Sequence, residues 1–196
     1  MILSEKLKDY RIILASASPR RNTLLKGLGF DFEVIVRETK ETYPAGLQKE
    51  EIPVYLASLK ADAFDPDEFG IKTLIITADT IVWLDGHIIG KPENPDHAVK
   101  LLKQLSGHTH EVFTGVCLKT NNVSHCFSSC SRVTFRQLSD EEINWYVDTC
   151  QPYDKAGAYG AQEWIGFIGI EHIEGSFFNV MGLPTQKLYV ELNDIL

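Results

Sequence analysis

The sequence predicts an α/β fold with some antiparallel strand pairing, and three kinds of signal lead there. Lys72 to Leu84 is a run rich in Ile and Val, as a buried strand requires. Asp85-Gly86 and Asn121-Asn122 are two-residue turn signals between apolar segments, the pattern of tight hairpins. Ser18-Pro19, Asn94-Pro95 and Ser139-x-x-Glu142 each begin a helical pattern with a capping side chain, followed by proline at the first helical position or by the glutamate of a capping box. With 196 residues, 44% of them apolar, the chain can bury a sizeable core, as one large domain or two lobes sharing one interior.

In chain order, residues 11–17 (RIILASA) read as a short buried strand. The helix opened by Ser18 carries Leu24, Leu25 and Leu28 as its apolar stripe and ends at Gly29. Residues 30–36 alternate like a half-buried strand. Residues 37–48 are polar, contain Pro44 and Gly46, and read as a mobile loop. A helix is expected over 51–64 with Val54, Leu56, Leu59 and Ala63 inward. After the 72–84 strand the chain turns at Asp85-Gly86 into the short return strand His87 to Gly90. The helix from Asn94 runs to Leu105 and stops at Gly107. Strands 109–120 and 123–137 flank the Asn121-Asn122 turn. The capping box opens a helix through Thr149. A strand is expected at 165–173, a turn at Glu174-Gly175, and a last helix at 184–194.

The net charge of −8 disfavours a polyanionic partner, so nucleic-acid binding is not expected. No apolar run approaches the ~20 residues that span a bilayer. The N-terminal stretch lacks the apolar segment and cleavage site of a secretory signal, so a cytoplasmic setting is expected. The four cysteines form no C-x-x-C pair and are expected to be reduced thiols filling apolar space. A small anionic substrate remains compatible with this composition if basic residues gather locally.

Four clusters carry chemical possibilities. Ser16, Ser18, Arg20 and Arg21 sit at a strand-to-helix junction, where free N–H groups and the positive end of the helix dipole favour an anion. A capped helix with solvated arginines is the plainer account, but it leaves unexplained why two cations stand where the dipole repels them. Asp79 interrupts an apolar strand. Burying a carboxylate is costly unless it is paired or bound to metal, so it reads either as a strand-end residue bonded to local backbone or as a metal ligand or base. Lys91, in Gly90-Lys91-Pro92, is folded back by the hairpin toward Asp79's strand; alone it resembles an ordinary loop lysine. Asp154 to Gln162 (DKAGAYGAQ) combines two glycines, opposite charges, an aromatic ring and an amide, and fits either a ligand loop or a compact turn. His108 and His110 have no third partner in sequence and read as structural or exposed. Trp83, Trp145 and Trp164 read as packing residues.

Taken together these segments resemble the Maf family in order and spacing: Leu14 to Arg21, Ala78 to Thr80, Gly90 to Pro92, Leu105 to Thr114, Asp154 to Gln162, and Val180 to Pro184. The resemblance covers residues 12 to about 192. It implies an elongated mixed β-sheet with flanking helices and two lobes around a cleft, similar to the inosine triphosphate pyrophosphatase fold. The resemblance also implies hydrolysis of a nucleoside triphosphate between its α and β phosphates, a divalent metal cation (Mg²⁺ or Mn²⁺), and commonly a homodimer. The family has been linked to division arrest and to clearance of modified nucleotides. By matching position, Asp79 is the implied proton acceptor and, with Glu41, the metal site. Lys91 joins the catalytic set, and Ser16, Ser18, Arg21, Lys60 and Lys155 bind phosphate. Arg20, Thr80 and Gln162 match the branch that prefers dTTP and UTP; the 7-methyl-GTP branch carries Trp, Gln and Glu there. A Gln amide can both donate to and accept from the edge of uracil or thymine, whereas guanine's adjacent donors suit a carboxylate. Two alternatives stand beside this reading: the 7-methyl-GTP specificity, and a nucleotide-binding regulator of division without turnover. Two departures are visible. Ala17 stands where several relatives have Gly, and Glu163-Trp164-Ile165 follows Gln162 where many have a Gly-rich turn.

Overall fold

β-branched residues build the parallel centre of the sheet. In the computed structural model, which describes residues 2–196, β1 (Arg11–Leu14) lies between β2 (Glu33–Val34) and β3 (Thr73–Leu84), parallel to both. Ile12 to Leu14 and Leu74 to Ile76 are all buried, the near-continuous apolar pattern of strands covered on both faces. β4 (His87–Ile89) returns antiparallel onto the end of β3 after the Asp85-Gly86 turn, with both turn residues at positive φ as a primed hairpin requires. β5 (Thr109–Thr120), β6 (Ser124–Phe135) and β7 (Ile170–Glu174) complete a seven-stranded mixed sheet of order β2-β1-β3-β5-β6-β7, with β4 on β3 off this path.

The chain divides into two compact units, and β3, β5 and β6 contribute residues to both. The first comprises the residues up to Asp79, Thr114–Ser129 and Gly182–Leu196. It holds α1 (Leu3–Lys6), α2 (Pro19–Lys26), α3 (Glu51–Asp62), a 3₁₀ turn at Pro66–Phe69, and α8 (Thr185–Ile195). Leu3 and Leu7 at one end of the chain and Leu188 and Leu192 at the other are buried, and Lys6 Nζ donates to Asn193 O at 3.2 Å, which ties α1 to α8. The second unit comprises Thr80–Phe113 and Cys130–Met181. It holds α4 (Pro95–Leu105), α5 (Asp140–Cys150), a 3₁₀ turn at Ala156–Ala158, α6 (Trp164–Gly169) and α7 (Phe177–Val180). Its core joins Leu101, Leu102 and Leu105 of α4 to Ile143, Tyr146 and Val147 of α5. No helix among the described residues is long and apolar enough to cross a membrane.

The helix starts follow the sequence signals. Asn94 and Ser139 side chains accept from His97 N and Glu142 N, and Glu142 completes the capping box by accepting from Ser139 N at 2.8 Å. Four expectations are corrected. The strand expected at 165–173 is helical through Gly169, and extended pairing begins only at Ile170. A continuous apolar run such as WIGFIGI carries no period to separate the two states. Within the helix, Gly166 packs where a Cβ would lie 2.0 Å from Ala161 O, a backbone approach no other residue permits. The buried face of α3 is Ile52, Pro53, Leu56, Ala57 and Ala61, so Val54, Leu59 and Ala63 are only half-buried. The third correction is one of strand length: 30–36 contracts to Glu33–Val34 and 11–17 to Arg11–Leu14.

The fourth correction concerns the cysteines. Cys117 and Cys126 form a disulfide, and Cys130 and Cys150 are the free thiols. The hairpin explains the pairing: Thr120 N bonds Val123 O at 2.8 Å, and the register that follows sets Cys117 opposite Cys126, with their Cα atoms 4.1 Å apart. A search for short C-x-x-C spacing misses a pair brought together across a turn.

Candidate active site

Asp79 stands where it does because of strand periodicity. Thr77, fully buried on β3, donates its hydroxyl to Ala57 O of α3 at 2.6 Å. Two residues on, Asp79 projects from the same face of β3. On α3, Lys60 lies three residues beyond Ala57 and so on the same face. The two side chains meet: Lys60 Nζ is 2.6 Å from Asp79 Oδ1 and 2.8 Å from Glu41 Oε1. The lysine and the aspartate are largely buried, with side chains 16% and 14% exposed, whereas Glu41 is half-exposed at the rim. One ammonium thus holds two carboxylates at one point.

Helix α3 is fixed at both ends. Near its start, a Cβ on Gly115 of β5 would lie 2.3 Å from the Pro53 carbonyl carbon and oxygen, so the glycine is what lets the helix rest on the sheet. At its end, Lys119 Nζ donates to Ala61 O at 3.3 Å and Phe64 O at 2.8 Å, satisfying carbonyls the helix leaves open and placing a cation at the negative end of its dipole.

The junction of β1 and α2 forms a hydroxyl-and-guanidinium corner in the same unit. The buried Ser16 Oγ accepts from Ser18 N and Arg21 Nη1, both at 3.3 Å. Ser18 caps α2 by accepting from Arg21 N, and Pro19 occupies the first helical position. Arg21 Nε donates to Gly182 O at 2.8 Å, which gives the Val180 to Pro184 motif a role in aiming the guanidinium. Desolvation lowers the pKa of Arg21, and the carboxylates of Asp79 and Glu41 oppose it, while Arg20 adds to it. The arginine corner and the carboxylate pair therefore share one electrostatic neighbourhood. Ser16, Ser18, Arg20, Arg21, Lys60, Glu41 and Asp79 are brought together in the first unit.

The donor set suits a hard divalent cation. Mg²⁺ and Mn²⁺ take one or two carboxylates and complete their shell with substrate phosphate oxygens and water. Among the described residues no three His, Cys, Asp or Glu side chains gather in metal-binding fashion. Glu41 and Asp79, converging on one point, are the pair that fits such a partial site.

In the second unit, Lys91 is exposed and Thr80 half-buried. The Lys91 segment is anchored to the 154–162 loop by Gly157 N donating to Gly90 O at 3.0 Å. Gly157 has φ of +72°, and a Cβ there would press on Val82 and Leu105, so glycine is needed for both conformation and space. Lys155 is buried and engaged: its Nζ is 2.7 Å from Asp154 Oδ1 and 3.1 Å from Glu163 Oε1. Two carboxylates already neighbour its charge, an arrangement that suits holding the loop. Gln162 lies beside them, and its Oε1 is buried without a hydrogen-bond partner in the protein.

Several contributors carried too little sequence signal to be singled out. Thr77 and Gly115 look like ordinary strand residues. Tyr146 is one apolar position of α5, yet its hydroxyl donates to Glu163 Oε2 and accepts from Gly160 N. His110, read from sequence as structural or exposed, is structural: it is buried, with Nε2 2.7 Å from Tyr159 Oη and its ring stacked on Phe135.

The chain matches the family model described as Maf-like protein over residues 11–195. It is 56% identical to the dTTP/UTP pyrophosphatase of Phocaeicola vulgatus, an alignment covering 97% of this chain and 99% of that protein. It is 55% identical to the dTTP/UTP pyrophosphatase of Bacteroides thetaiotaomicron (96% and 98% covered) and 48% identical to that of Flavobacterium johnsoniae (100% of both). Among solved structures, the Staphylococcus aureus Ham1 protein superposes with a TM-score of 0.51 at 16% identity, over 95% of this chain and 100% of that one, which shows likeness of fold. The model match and the near-complete coverage at this identity place the chain in the Maf family.

Proposed function

We propose that this protein is a nucleoside triphosphate pyrophosphatase that hydrolyses dTTP and UTP to the monophosphate and pyrophosphate. The observation that carries the reading is Lys60 bridging Glu41 and Asp79 beside the Ser16–Arg21 corner. The full-length relatives named dTTP/UTP pyrophosphatase support it.

Arg20, Arg21 and the Ser16 and Ser18 hydroxyls bind the phosphate tail by charge-assisted hydrogen bonds. Glu41 and Asp79 would hold a divalent cation, which would neutralise phosphate charge and make a nearby water more acidic. Asp79 orients the attacking water and accepts its proton, as a carboxylate within hydrogen-bond reach does. Lys60 keeps the two carboxylates from repelling each other before substrate arrives. Lys91 supplies a further cation to the reacting phosphates. Lys155 braces its loop from a buried position. Gln162 reads the pyrimidine edge: its orphaned Oε1 accepts from N3–H and its amide donates to a ring carbonyl. Arg20 and Thr80 complete the specificity set. A homodimer in the cytoplasm belongs to the same proposal.

The test is a substrate panel with product identification. Purified protein with Mg²⁺ is expected to release pyrophosphate from dTTP and UTP. Asp79→Asn is expected to lower turnover at least ~10³-fold with unchanged thermal unfolding. Release of single phosphates, preference for 7-methyl-GTP, or saturable binding without turnover would each overturn the assignment.

A further inference from the structure

Glu163 occupies the position before α6, yet its side chain makes no bond to that helix's free N–H groups. It turns instead to two partners. Oε1 lies 3.1 Å from Lys155 Nζ, and Oε2 accepts a hydrogen bond from the Tyr146 hydroxyl. The Tyr146 ring is fully buried on α5, and its oxygen also accepts from Gly160 N at 3.2 Å. The hydroxyl is therefore fixed both as donor and as acceptor. Burial, then the bond to Glu163, push the phenol's pKa upward, so it stays protonated and remains a donor. One carboxylate thus gathers the start of the 154–163 loop through Lys155 and its far end through Tyr146 and Gly160.

Gln162 is held in the same packing. A Cβ on Gly160 would lie 2.7 Å from the Glu163 carboxyl carbon and 3.0 Å from Gln162 Nε2, so the carboxylate and the amide crowd the glycine together. The other end of that amide, Oε1, is the buried acceptor without a partner. Leaving such an atom unpaired is costly unless something supplies a donor. An amide that discriminates between base edges must be prevented from rotating to suit either one.

We propose that Glu163 is a positioning residue for base selection: by tying Tyr146, Gly160 and Lys155 together it locks the Gln162 amide in the orientation that accepts N3–H of uracil and thymine. The inference rests on the assignment of Gln162 to the base edge.

The experiment compares UTP with CTP, which share ribose and triphosphate but present opposite polarity at N3 and at the adjacent exocyclic group. kcat/KM for both is measured for wild type, Gln162→Glu, Glu163→Gln and Tyr146→Phe, together with Tm. Tyr146→Phe keeps the buried ring and removes only the hydroxyl, which guards against a Glu163 variant that fails to fold. Both Glu163→Gln and Tyr146→Phe are expected to lower the UTP/CTP ratio about tenfold, with UTP losing efficiency and CTP holding or gaining. Equal losses on both nucleotides, tracking Tm, would reduce Glu163 to a structural residue and overturn the proposal. So would a ratio that Gln162→Glu changes and the other two variants leave at the wild-type value; in that case the Gln162 assignment survives. A Gln162→Glu variant with wild-type discrimination would overturn both together.

Discussion

Replacing His110 by Gln should flatten the acid side of the stability profile. His110 is 1% exposed, with Phe135 stacked on one face and the Tyr159 hydroxyl on Nε2. Burial lowers its pKa from 6.5 to about 4. Between those values the unfolded chain binds a proton that the folded chain refuses, so the proton stabilises the unfolded state. The contribution to stability is complete above the unfolded pKa and is lost as pH falls from 6.5 towards 4. Its ceiling is about 3 kcal/mol, and between pH 7 and pH 5 the loss amounts to about 2 kcal/mol. Urea unfolding of wild type and His110→Gln at the two pH values measures the difference directly. The wild type should lose about 2 kcal/mol more than the variant over that interval. Parallel profiles, whatever the absolute stabilities, would mean that His110 titrates normally and that its pocket admits the charged ring.

Two further perturbations probe the first unit. Lys60→Met leaves Glu41 and Asp79 facing each other without their shared cation; kcat/KM for UTP should fall ~10²-fold or more, and undiminished activity would remove Lys60 from the site. Gly115→Ala sets a methyl group 2.3 Å from the Pro53 backbone. Displacing α3 should cost about 3 kcal/mol or more in urea unfolding together with activity, whereas a neutral result would contradict the close approach of helix and strand.

The sequence was most legible where chemistry and geometry are local. Caps at Asn94 and Ser139, the Asp85-Gly86 and Asn121-Asn122 turns, and the apolar β3 all declare themselves within a few residues. What was obscured depends on partners far along the chain. The phase of α3 was misjudged because Val54 and Leu59 are more apolar than Pro53 and Ala57. The sheet beneath needs small residues, since Thr77 bonds the Ala57 carbonyl and Gly115 receives Pro53. The Trp164–Gly169 helix lies in an unbroken apolar run without a period, and the packing of Gly166 against Ala161 emerges only in the fold. The family resemblance implies a phosphate role for Lys155, and the fold adds that Asp154 and Glu163 neighbour its charge. The disulfide needed the hairpin register before Cys117 and Cys126 could be seen as neighbours.

An acidic protein acting on a polyanion poses a problem that the first unit addresses by local arrangement. The overall charge of −8 opposes binding at long range, but screening in salt confines that field to about 8–10 Å. Within that distance Arg20, Arg21 and Lys60 stand against Asp79 and Glu41. The three cations exceed the two carboxylates by a single charge, too little to neutralise a triphosphate. One lysine holds the two carboxylates in the absence of substrate, and in the proposed function they would turn to a divalent cation when phosphates arrive. A purely cationic pocket would bind any phosphate compound; one needing nucleotide and divalent cation together confines tight binding to a chelating tail. Phosphate affinity should therefore rise steeply with Mg²⁺ in the wild type and lose that dependence in Glu41→Gln. Titration calorimetry with a non-hydrolysable UTP analogue, with and without Mg²⁺, measures this. A Glu41→Gln variant that kept the full Mg²⁺ effect would show that the carboxylate pair is not where the cation acts.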